Sequence, residues 1–568
     1  MNKEYKWDLT KFCSSIEDCR KKLNKLIEDS KNLQRYLGHL AEKDRFLEYL
    51  KESMDITNRF YICYIYANAS LDVEFDNEKL KELNNWVSTQ QIEFDKLGAP
   101  FTAEIKNLSI DYLTKLKEEK GFEEWKLYLD DLIRVNQHLL SEAEERILSE
   151  FSAASQGFKS VNSNCYFSDI KYDDVEDEKG EKHHLNTGNM GKFVFSNDRT
   201  LRKNTAISTR EAYSFYGNLM AQNFISLLKT RVAVNKIRKY SSVLNAMLEG
   251  NNLDKMVYNN IIEFSKKNYD TVKRYYKCKK KLLGLDTFYV FDKNAPLNFK
   301  QKTYTFEEGM ELVKKAMAVL GDDYVKLLER AVSERWIDVY PSDKKRSGGY
   351  TWGAYGITNI VLLNWTDDLD SVFTLAHELG HAIHRYIMDQ HQEFQNCDPP
   401  IFMAEVASTF NENLLFDYMY KNAKSADEKF ALLDYYTLNI IRTVFNQAAY
   451  SEFEDFCYKT IEEEKPISKE ILCNAWENFV SKPLEDVIDN TYNNSLGWQN
   501  FTHLYGSSYY VWQYALAYTI SSEFSARVLN GGEKERKDYF EFLSGGHQEK
   551  PADLLKRLNI EIGRASCR

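Results

Sequence analysis

The first part of the chain places apolar and polar residues with the period of an α-helix. Apolar residues recur at intervals of three and four in "CRKKLNKLIEDSKNLQRYL", "DNEKLKELNNWVSTQQIEFDKL" and "SEAEERILSEFSAAS". This spacing gathers the apolar side chains on one face of each helix, where they can pack against neighbouring helices. The pattern therefore predicts a helical N-terminal region over residues 1–165.

The helical pattern is interrupted twice. Residues 166–205 are rich in Gly, Asn and Asp, which predicts a strand-and-loop excursion that acts as a hinge or surface flap. Residues 206–562 return to helical periodicity, except that residues 343–365 run from a Gly-rich turn into β-branched and aromatic residues. We therefore predict a mostly α fold, with a helical N-terminal region and a second helical domain that contains a small β-hairpin.

Charge and cysteine content indicate which partners and which cellular compartment to expect. The chain carries 75 Lys and Arg against 86 Asp and Glu, and the interleaving of the two signs argues against nucleic acid as a partner. The nine cysteines are scattered without a CxxC pair, which is typical of a reducing compartment. The N-terminus has no apolar signal region, and no apolar run is long enough to span a membrane. We predict a cytoplasmic protein without a membrane partner.

The stretch "TLAHELGHAIHRY" carries the first candidate chemistry. His377 and His381 are four residues apart, so on a helix both imidazoles lie on one face, near enough to bind one Zn²⁺. Glu378 lies on the next face, where its carboxylate can take a proton from an attacking water. The spacing therefore predicts two zinc ligands and a general base.

The alternative is a helix that carries these polar residues by chance on a solvent-exposed face. Val372, Leu375 and Leu379 belong to an apolar surface that covers most of the helix circumference, which favours burial. Burying two histidines and a carboxylate is costly unless they are paired or bind a metal. Gly380 costs the helix roughly 1 kcal/mol relative to alanine, a cost that makes sense if a substrate or a second helix approaches closely.

A catalytic zinc site needs a third protein ligand. The metzincin pattern HExxHxxGxxH fails, because His384 occupies its glycine position and Ile387 its last histidine position. A thermolysin-like spacing would place a glutamate near residue 401, where the chain reads "PPIFMA". The first well-placed carboxylate is Glu405 in the apolar helix "IFMAEVASTFNENLLF", and two helices joined by a loop can bring it to the histidines.

Two further residues are candidates for supporting roles. Glu412 lies seven residues after Glu405 on the same helix face, so it can orient a ligand histidine, with a plain solvated glutamate as the alternative. His384 lies three residues after His381, and we interpret it as a supporting or groove histidine rather than a ligand.

Several motifs in one order resemble a known family. "SGGYTWGAYGITNIVLLNW", "FTLAHELGHAIH" and "FMAEVASTFNE", together with the early "WDLT", resemble the oligoendopeptidase F branch of the thimet-oligopeptidase-like zinc peptidases. The resemblance implies one Zn²⁺ held by His377, His381 and Glu405, with Glu378 as general base. It also implies a zincin-like catalytic domain, residues 206–562, which with the N-terminal region encloses a deep channel for short unfolded peptides.

The segment "WQNFTHLYGSSYYVWQYALAY" resembles the C-terminal motif of the same family, a histidine followed by tyrosines. On a single helix, His503, Tyr510 and Tyr514 would share a face. His503 and Tyr510 are predicted to stabilise the oxyanion of the transition state. Tyr509 and Tyr514 are candidate substrate-binding residues, with core packing as the alternative. Trp512 departs from the family, whose members often have tyrosine there.

The Gly-rich hairpin is predicted to align the substrate. An edge strand can pair with an extended peptide backbone and give affinity without side-chain specificity. The candidate substrate-binding residues are Gly349, Tyr350, Gly353, Ala354, Tyr355 and Gly356.

The last six residues, 563–568, read "GRASCR" and do not resemble a continuation of the family, so we interpret them as a truncated or foreign tail. The rest of the chain predicts a zinc-dependent endopeptidase that acts on short unfolded oligopeptides. The alternatives are a zinc exopeptidase using the same helix and a helical scaffold or peptide-binding protein with an incidental HExxH. The sequence does not set the oligomeric state.

Overall fold

The computed structural model describes residues 5–297 and 302–563, so the proposed tail lies outside the described residues except for Gly563. The fold is mainly helical, as the periodicity predicted, with short 3₁₀ and π-helical segments between the helices. In chain order the α-helices are α1 (Ile16–Asn32), α2 (Lys43–Val73), α3 (Glu78–Lys106), α4 (Ile110–Leu116), α5 (Lys126–Asn136), α6 (Glu142–Asn164), α7 (Met190–Val194), α8 (Arg199–Ile237), α9 (Val243–Gly250), α10 (Lys255–Lys267), α11 (Tyr269–Leu282), α12 (Phe306–Met317), α13 (Asp322–Ser333), α14 (Leu369–His391), α15 (Ile401–Asn422), α16 (Ala426–Ile440), α17 (Gln447–Glu462), α18 (Lys469–Trp476), α19 (Thr502–Gly506), α20 (Trp512–Asn530), α21 (Glu533–Ser544) and α22 (Pro551–Arg557).

The described residues form two small sheets. Strands β1 (Val175–Glu176) and β2 (Lys182–His183) make an antiparallel pair within the predicted excursion. Strands β3 (Ile337–Asp338), β4 (Tyr350–Ala354) and β5 (Thr358–Leu362) form a second sheet in the order β3-β5-β4. Strands β4 and β5 are the predicted hairpin, with Tyr350 opposite Leu362 and a turn at Gly356, whose φ is 72°.

Contacts along the chain define two compact units, each assembled from segments that are far apart in sequence. The first unit comprises Met1–Leu139, Gln301–Asn422 and Ala517–Glu561, and the second comprises Leu140–Lys300, Ala423–Leu516 and Ile562–Arg568. The sequence-based boundaries at residues 165 and 205 stay a prediction.

The first unit joins the N-terminal helices to the three-stranded sheet. Ile65 and Ala69 of α2 pack with Ile360 and Leu362 of β5 in one hydrophobic cluster. Polar contacts fix the same junction, because the Tyr350 hydroxyl donates to Asp72 Oδ2 at 2.8 Å. The hairpin is therefore a packed part of this unit rather than a loop on its surface.

The second unit is organised around the long helix α8. Phe224 of α8 lies at the centre of an aromatic cluster, with ring centroids 5.6 Å from Trp498 and 5.2 Å from Tyr505. Aromatic pairs at such separations add to the stabilisation that burial alone provides. Helix α8 thus packs against the segment that contains His503.

The described residues bear on membrane crossing and on the state of the cysteines. None of their helices combines the length and the apolar character needed to cross a membrane. Their cysteines are free thiols, and the reducing compartment stays a prediction.

Candidate functional site

The predicted metal-binding motif lies on helix α14. Asp368 caps this helix by accepting a hydrogen bond from the backbone N–H of Ser371 at 2.8 Å. The helical spacing brings His377 and His381 together, so that their Nε2 atoms lie 3.2 Å apart. The i, i+4 spacing thus puts both imidazoles at one point on the helix surface.

Glu405 joins these histidines from the neighbouring helix α15. Its Oε2 lies 3.6 Å from His377 Nε2 and 3.7 Å from His381 Nε2. Gly380 permits this approach, because a Cβ atom there would lie 2.6 Å from the Ala407 carbonyl oxygen and 2.8 Å from Ser408 Cα. The second helix that Gly380 was expected to accommodate is therefore α15.

These three side chains fit a zinc ion. Zinc is bound by imidazole nitrogen and carboxylate oxygen at about 2.0–2.2 Å, so a tetrahedral site separates its donor atoms by roughly 3.3–3.6 Å. The three donor pairs of His377, His381 and Glu405 are 3.2, 3.6 and 3.7 Å apart. Two nitrogens and one oxygen also match a catalytic zinc site that leaves a position for water.

Glu412 orients one of the histidines. Its Oε1 lies 2.5 Å from His377 Nδ1, so the proton on Nδ1 is held by the carboxylate and the Nε2 lone pair is left for a metal. Burial lowers the pKa of His377, but the hydrogen bond to Glu412 and the charge of Glu405 outweigh it and raise that pKa to about 10. For His381, burial outweighs Glu405 and lowers the pKa. The carboxylates therefore make this place favourable for positive charge.

Glu378 is held beside the cluster by strand β4. Thr351 Oγ1 lies 2.7 Å from Glu378 Oε2 and 2.8 Å from the Glu378 carbonyl oxygen, and it donates to both acceptors. A Cβ at Gly349 would lie 3.4 Å from Glu378 Oε1, so this glycine keeps the strand close to the carboxylate. Sequence reasoning missed Thr351, although strand alternation places it on the opposite face from Tyr350 and Trp352.

Several residues of the predicted substrate-binding hairpin make packing contacts inside the first unit. The Tyr350 hydroxyl is directed to Asp72, the Tyr355 hydroxyl donates to the Gln392 carbonyl oxygen at 2.8 Å, and Ala354 is buried. Gly353 makes room for Asn359, whose Oδ1 would lie 2.2 Å from a Cβ there. The substrate-binding role of the hairpin stays a prediction.

The structure does not bring His384 into the ligand cluster. Its ring is buried and stacks on Phe542, with centroids 5.8 Å apart. Burial, assisted by the charges of His381 and Arg385, lowers the pKa of His384 to about 3. The residue is therefore a neutral packing element of α14.

His503, Tyr510 and Tyr514 form an aromatic group within the second unit. The rings of His503 and Tyr510 are stacked with centroids 5.7 Å apart, and Tyr514 meets Tyr510 edge-on at 5.6 Å. Desolvation lowers the pKa of His503, so its imidazole is neutral near pH 7. The three predicted residues are thus neighbours.

The prediction that His503, Tyr510 and Tyr514 lie on a single helix is wrong. Helix α19 ends at Gly506 and α20 begins at Trp512, and the turn between them contains Tyr509 with a φ of 50°. A non-glycine residue in this left-handed region must be held there by its surroundings. The rings meet because the chain turns, not because they share one helix face.

Two residues that sequence reasoning missed hold this turn. Glu454 Oε1 accepts the backbone N–H of Tyr509 at 2.8 Å. Arg231 donates to the carbonyl oxygens of Leu504, Tyr505 and Gly506 at 2.8, 2.8 and 3.1 Å. Both lie on other helices, and no local pattern of the sequence indicates these contacts.

Tyr509 itself is a packing residue, which corrects its assignment as a substrate-binding residue. Its ring stacks on Tyr458 at 5.2 Å and its hydroxyl donates to Asp455 Oδ1 at 3.1 Å. Only 1% of the residue is exposed, so no face of the ring is offered to a peptide.

Two other groups of side chains have donor atoms as close together as those of His377, His381 and Glu405. Cys13, Cys19 and Cys63 are buried in the hydrophobic cluster of the N-terminal helices. Asp177, Glu181 and His183 surround the β1–β2 hairpin. The α14–α15 cluster has the buried carboxylate of Glu378 beside it, and it is the candidate catalytic centre.

Comparison with known families and proteins gives matches along most of the chain. Residues 193–565 match peptidase family M3, and residues 104–172 match the oligopeptidase F family. The chain is 31% identical over 563 residues to oligopeptidase PepF of Bacillus subtilis, covering 98% of this chain and 83% of the relative. It is 27% identical over 571 residues to the group B oligopeptidase PepB of Streptococcus agalactiae, covering 100% and 94%.

Solved structures share the fold along almost the whole chain. A peptidase-like chain from Chlamydophila abortus superposes with a TM-score of 0.89 at 27% identity, covering 99% of this chain and 95% of that one. Oligoendopeptidase-F from Enterococcus faecium superposes with a TM-score of 0.74 at 23% identity, covering 96% and 94%. The second likeness bears on the fold alone.

Proposed function

The chain belongs to peptidase family M3 and is a metallopeptidase of the oligopeptidase type, and we propose that it is a zinc-dependent endopeptidase acting on short unfolded peptides. His377, His381 and Glu405 would hold the ion, and Glu378 would be the general base. The observation that carries the proposal is the cluster of three donor atoms, since its spacings suit zinc and a buried carboxylate lies beside it.

The side chains around the cluster have separate roles in the proposed hydrolysis. A zinc ion supplies Lewis-acid polarisation of the scissile carbonyl and lowers the pKa of the attacking water. The Glu378 carboxylate accepts a proton from that water and passes it to the leaving amine nitrogen. Thr351 keeps this carboxylate in place, and Glu412 holds the proton of His377 on Nδ1.

We assign stabilisation of the oxyanion to His503 and Tyr510. Both rings carry a donor, and a donor that meets the oxyanion stabilises the transition state more than the ground state. Their stacked arrangement within the second unit supports a joint role. Short unfolded peptides as substrates, the channel that would exclude folded proteins, and a cytoplasmic location belong to the same proposal.

Replacing Glu378 by Gln tests the mechanism. We expect kcat/KM on an internally quenched peptide to fall roughly 10²- to 10⁴-fold, because the general base is lost. Metal analysis should still find about one zinc per chain, because the three ligands remain. Glu393→Gln, an exposed site just beyond α14, is the matched control and should keep full activity. Near-normal turnover of E378Q would contradict the assigned role.

The two rival functions give different results in separate measurements. An exopeptidase would fail on peptides that are acetylated and amidated at their ends, whereas an endopeptidase cleaves them internally. A scaffold with an incidental motif would contain no zinc, whereas the peptidase should lose zinc and activity together on chelation. In the metal measurement His381→Ala is the informative variant, because it removes a ligand of the proposed site.

A further inference from the structure

Three buried cysteines of the first unit have their sulfur atoms gathered at one point. Cys13, Cys19 and Cys63 are each at most 1% exposed, and every pair of their Sγ atoms lies within 4.8 Å. They come from three separate segments, because Cys13 precedes α1, Cys19 lies near the start of α1, and Cys63 lies within α2. The fold therefore brings together three thiols that are scattered in the sequence.

These thiols make only weak hydrogen bonds to the backbone. Cys19 Sγ donates to the Cys63 carbonyl oxygen at 3.8 Å, and Cys63 Sγ donates to the Cys19 carbonyl oxygen at 4.0 Å. The S–H group is a weak donor, and both distances are long. The free energy lost when these sulfurs give up their protons to bind another atom is therefore small.

Lys22 of α1 lies beside the three thiols. Its Nζ donates to the carbonyl oxygen of Phe12, the residue before Cys13, at 3.0 Å, and it also pairs with Asp18 Oδ2 at 3.0 Å. Hydrogen bonds from the other two thiols, together with the charge of Lys22, outweigh burial and lower the pKa of the Cys63 thiol. Because the Lys22 side chain is 48% exposed, it also marks where solvent comes nearest to the sulfurs.

The donor atoms of this group select a soft metal ion. Thiolates favour Cu⁺ and Zn²⁺, whereas Mg²⁺ and Ca²⁺ take oxygen ligands. Structural zinc almost always has four ligands, and among the described residues no fourth Cys, His, Asp or Glu joins these three. Three sulfurs alone suit Cu⁺, which accepts trigonal coordination. At a metal–sulfur distance of about 2.3 Å, three sulfurs around one ion lie roughly 4.0 Å apart, a spacing that the 4.8 Å limit allows.

We propose that Cys13, Cys19 and Cys63 form a structural site for one Cu⁺ ion, which shares no residue with the α14–α15 cluster. Copper–sulfur bonds replace S–H bonds, the protons pass to the buffer, and no oxidation state changes. The bound ion ties the segment before α1 to both α1 and α2. Phe12, next to Cys13, packs with α2 and β5, so the ion also stabilises the packing behind the β4–β5 hairpin.

Anaerobic titration of the reduced, full-length protein with Cu⁺ tests the site. Bicinchoninate, a Cu⁺ chelator, removes loosely bound metal before gel filtration. We expect about one Cu⁺ per chain to remain, and X-ray absorption at the copper edge to show three sulfur neighbours without nitrogen or oxygen. The melting temperature should rise by a few degrees, because only the folded state holds the three thiols together.

Substitutions of single cysteines identify the ligands. Cys63→Ser and Cys63→Ala should both lose the retained copper and the rise in melting temperature, and their agreement separates loss of a ligand from a change in polarity. Cys457→Ala removes a thiol that is equally buried, and Cys278→Ser removes an exposed one. Both controls should still retain one Cu⁺. If the Cys63 variants do not fold, the sulfur neighbours seen at the copper edge of the wild type still decide the result.

Three results would overturn the proposal. A wild-type protein that retains no copper would show that the three cysteines only pack the core. Copper that C63S and C63A retain as the wild type does, or that has nitrogen or oxygen neighbours, would lie elsewhere. Zn²⁺ retained on the three sulfurs in preference to Cu⁺ would contradict the choice of ion. The peptidase function is tested separately, because peptide hydrolysis should not change in C63S.

Discussion

The metal cluster and the His503–Tyr510 turn carry the two halves of the proposed chemistry, and they are built in different ways. The cluster lies on two regular helices, where the spacing of four residues fixes His377 beside His381. The turn joins two helices through residues whose backbone is irregular, with Tyr509 in the left-handed region. One site is positioned by helix geometry, and the other by hydrogen bonds from distant side chains.

This difference decides what maintains each site. In the cluster, the backbone of α14 and the close approach of α15 place the donor atoms, and Glu412 only sets the tautomer of one histidine. In the turn, Glu454 and Arg231 reach across 55 and more than 270 residues of sequence to hold the backbone. We expect the cluster to respond to changes in helix packing and the turn to changes in single polar contacts.

Neighbouring tyrosines in the turn provide the comparison with the largest expected effect. Tyr510→Phe should lower kcat roughly 10²- to 10³-fold, because it removes a proposed donor to the oxyanion, while zinc content stays at the wild-type level. Tyr509→Phe removes a hydroxyl that is bonded to Asp455, so it should cost about 1 kcal/mol of stability and leave kcat near the wild-type value. Steady-state kinetics and thermal unfolding of both variants check this. Equal kcat values for Y509F and Y510F would remove Tyr510 from the mechanism.

The same contrast explains which parts of the molecule were predictable from the sequence. Helical periodicity predicted the mostly α fold, and the i, i+4 spacing with Gly380 predicted a buried helix pair. Glu405 was predicted as the first well-placed carboxylate on the next apolar helix, and Glu412 as the glutamate seven residues after it on the same face. In each case the helical repeat states which side chains of one helix lie close together.

Long-range contacts account for what the sequence did not reveal. Thr351 reaches Glu378 from a strand 27 residues away, and periodicity does not state which strand packs on which helix. Tyr350 was expected to meet substrate as part of the Gly-rich hairpin, and Tyr509 as part of the C-terminal motif of the resemblance. Their hydroxyls bond to Asp72 and Asp455, which no local pattern indicates. The two units, likewise, are assembled from segments that no linear pattern connects.

Glu454 should make the stability of the protein depend on pH. Burial raises its pKa to about 8, although the Tyr509 N–H and the charge of Arg231 oppose the shift and that of Asp455 adds to it. The folded state therefore binds this proton more tightly than the unfolded state, whose value lies near 4.3. Stability from Glu454 is complete at low pH and is lost as the pH rises from about 4.3 to about 8, by an amount on the order of 5 kcal/mol.

Glu454→Gln tests this linkage because the amide oxygen still accepts the Tyr509 N–H but does not ionise. Between pH 5 and pH 8 the melting temperature of the wild type should fall more than that of E454Q, by a few degrees. Glu462→Gln, at a less buried site whose pKa is also raised, should show a smaller difference. Parallel curves for the wild type and E454Q would show that Glu454 is ionised in the folded protein throughout this range.

Gly380→Ala tests the packing that positions the metal cluster, with the smallest expected effect. The added Cβ would meet backbone atoms of Ala407 and Ser408, which cannot rotate away, so α14 and α15 must separate. We expect a loss of about 1–3 kcal/mol from overpacking, reduced by up to about 1 kcal/mol of improved helix propensity, and weaker zinc retention against a chelator. Gly98→Ala in α3 is the matched control, because nothing lies within 4 Å of its Cβ and only the gain in propensity remains. If G380A retains zinc as the wild type does, the donor spacing does not depend on the close approach of the two helices. Polar contacts would then hold the cluster as they hold the turn: Glu412 bonds to His377, and the Ser408 hydroxyl donates to Glu405 Oε2 at 3.1 Å.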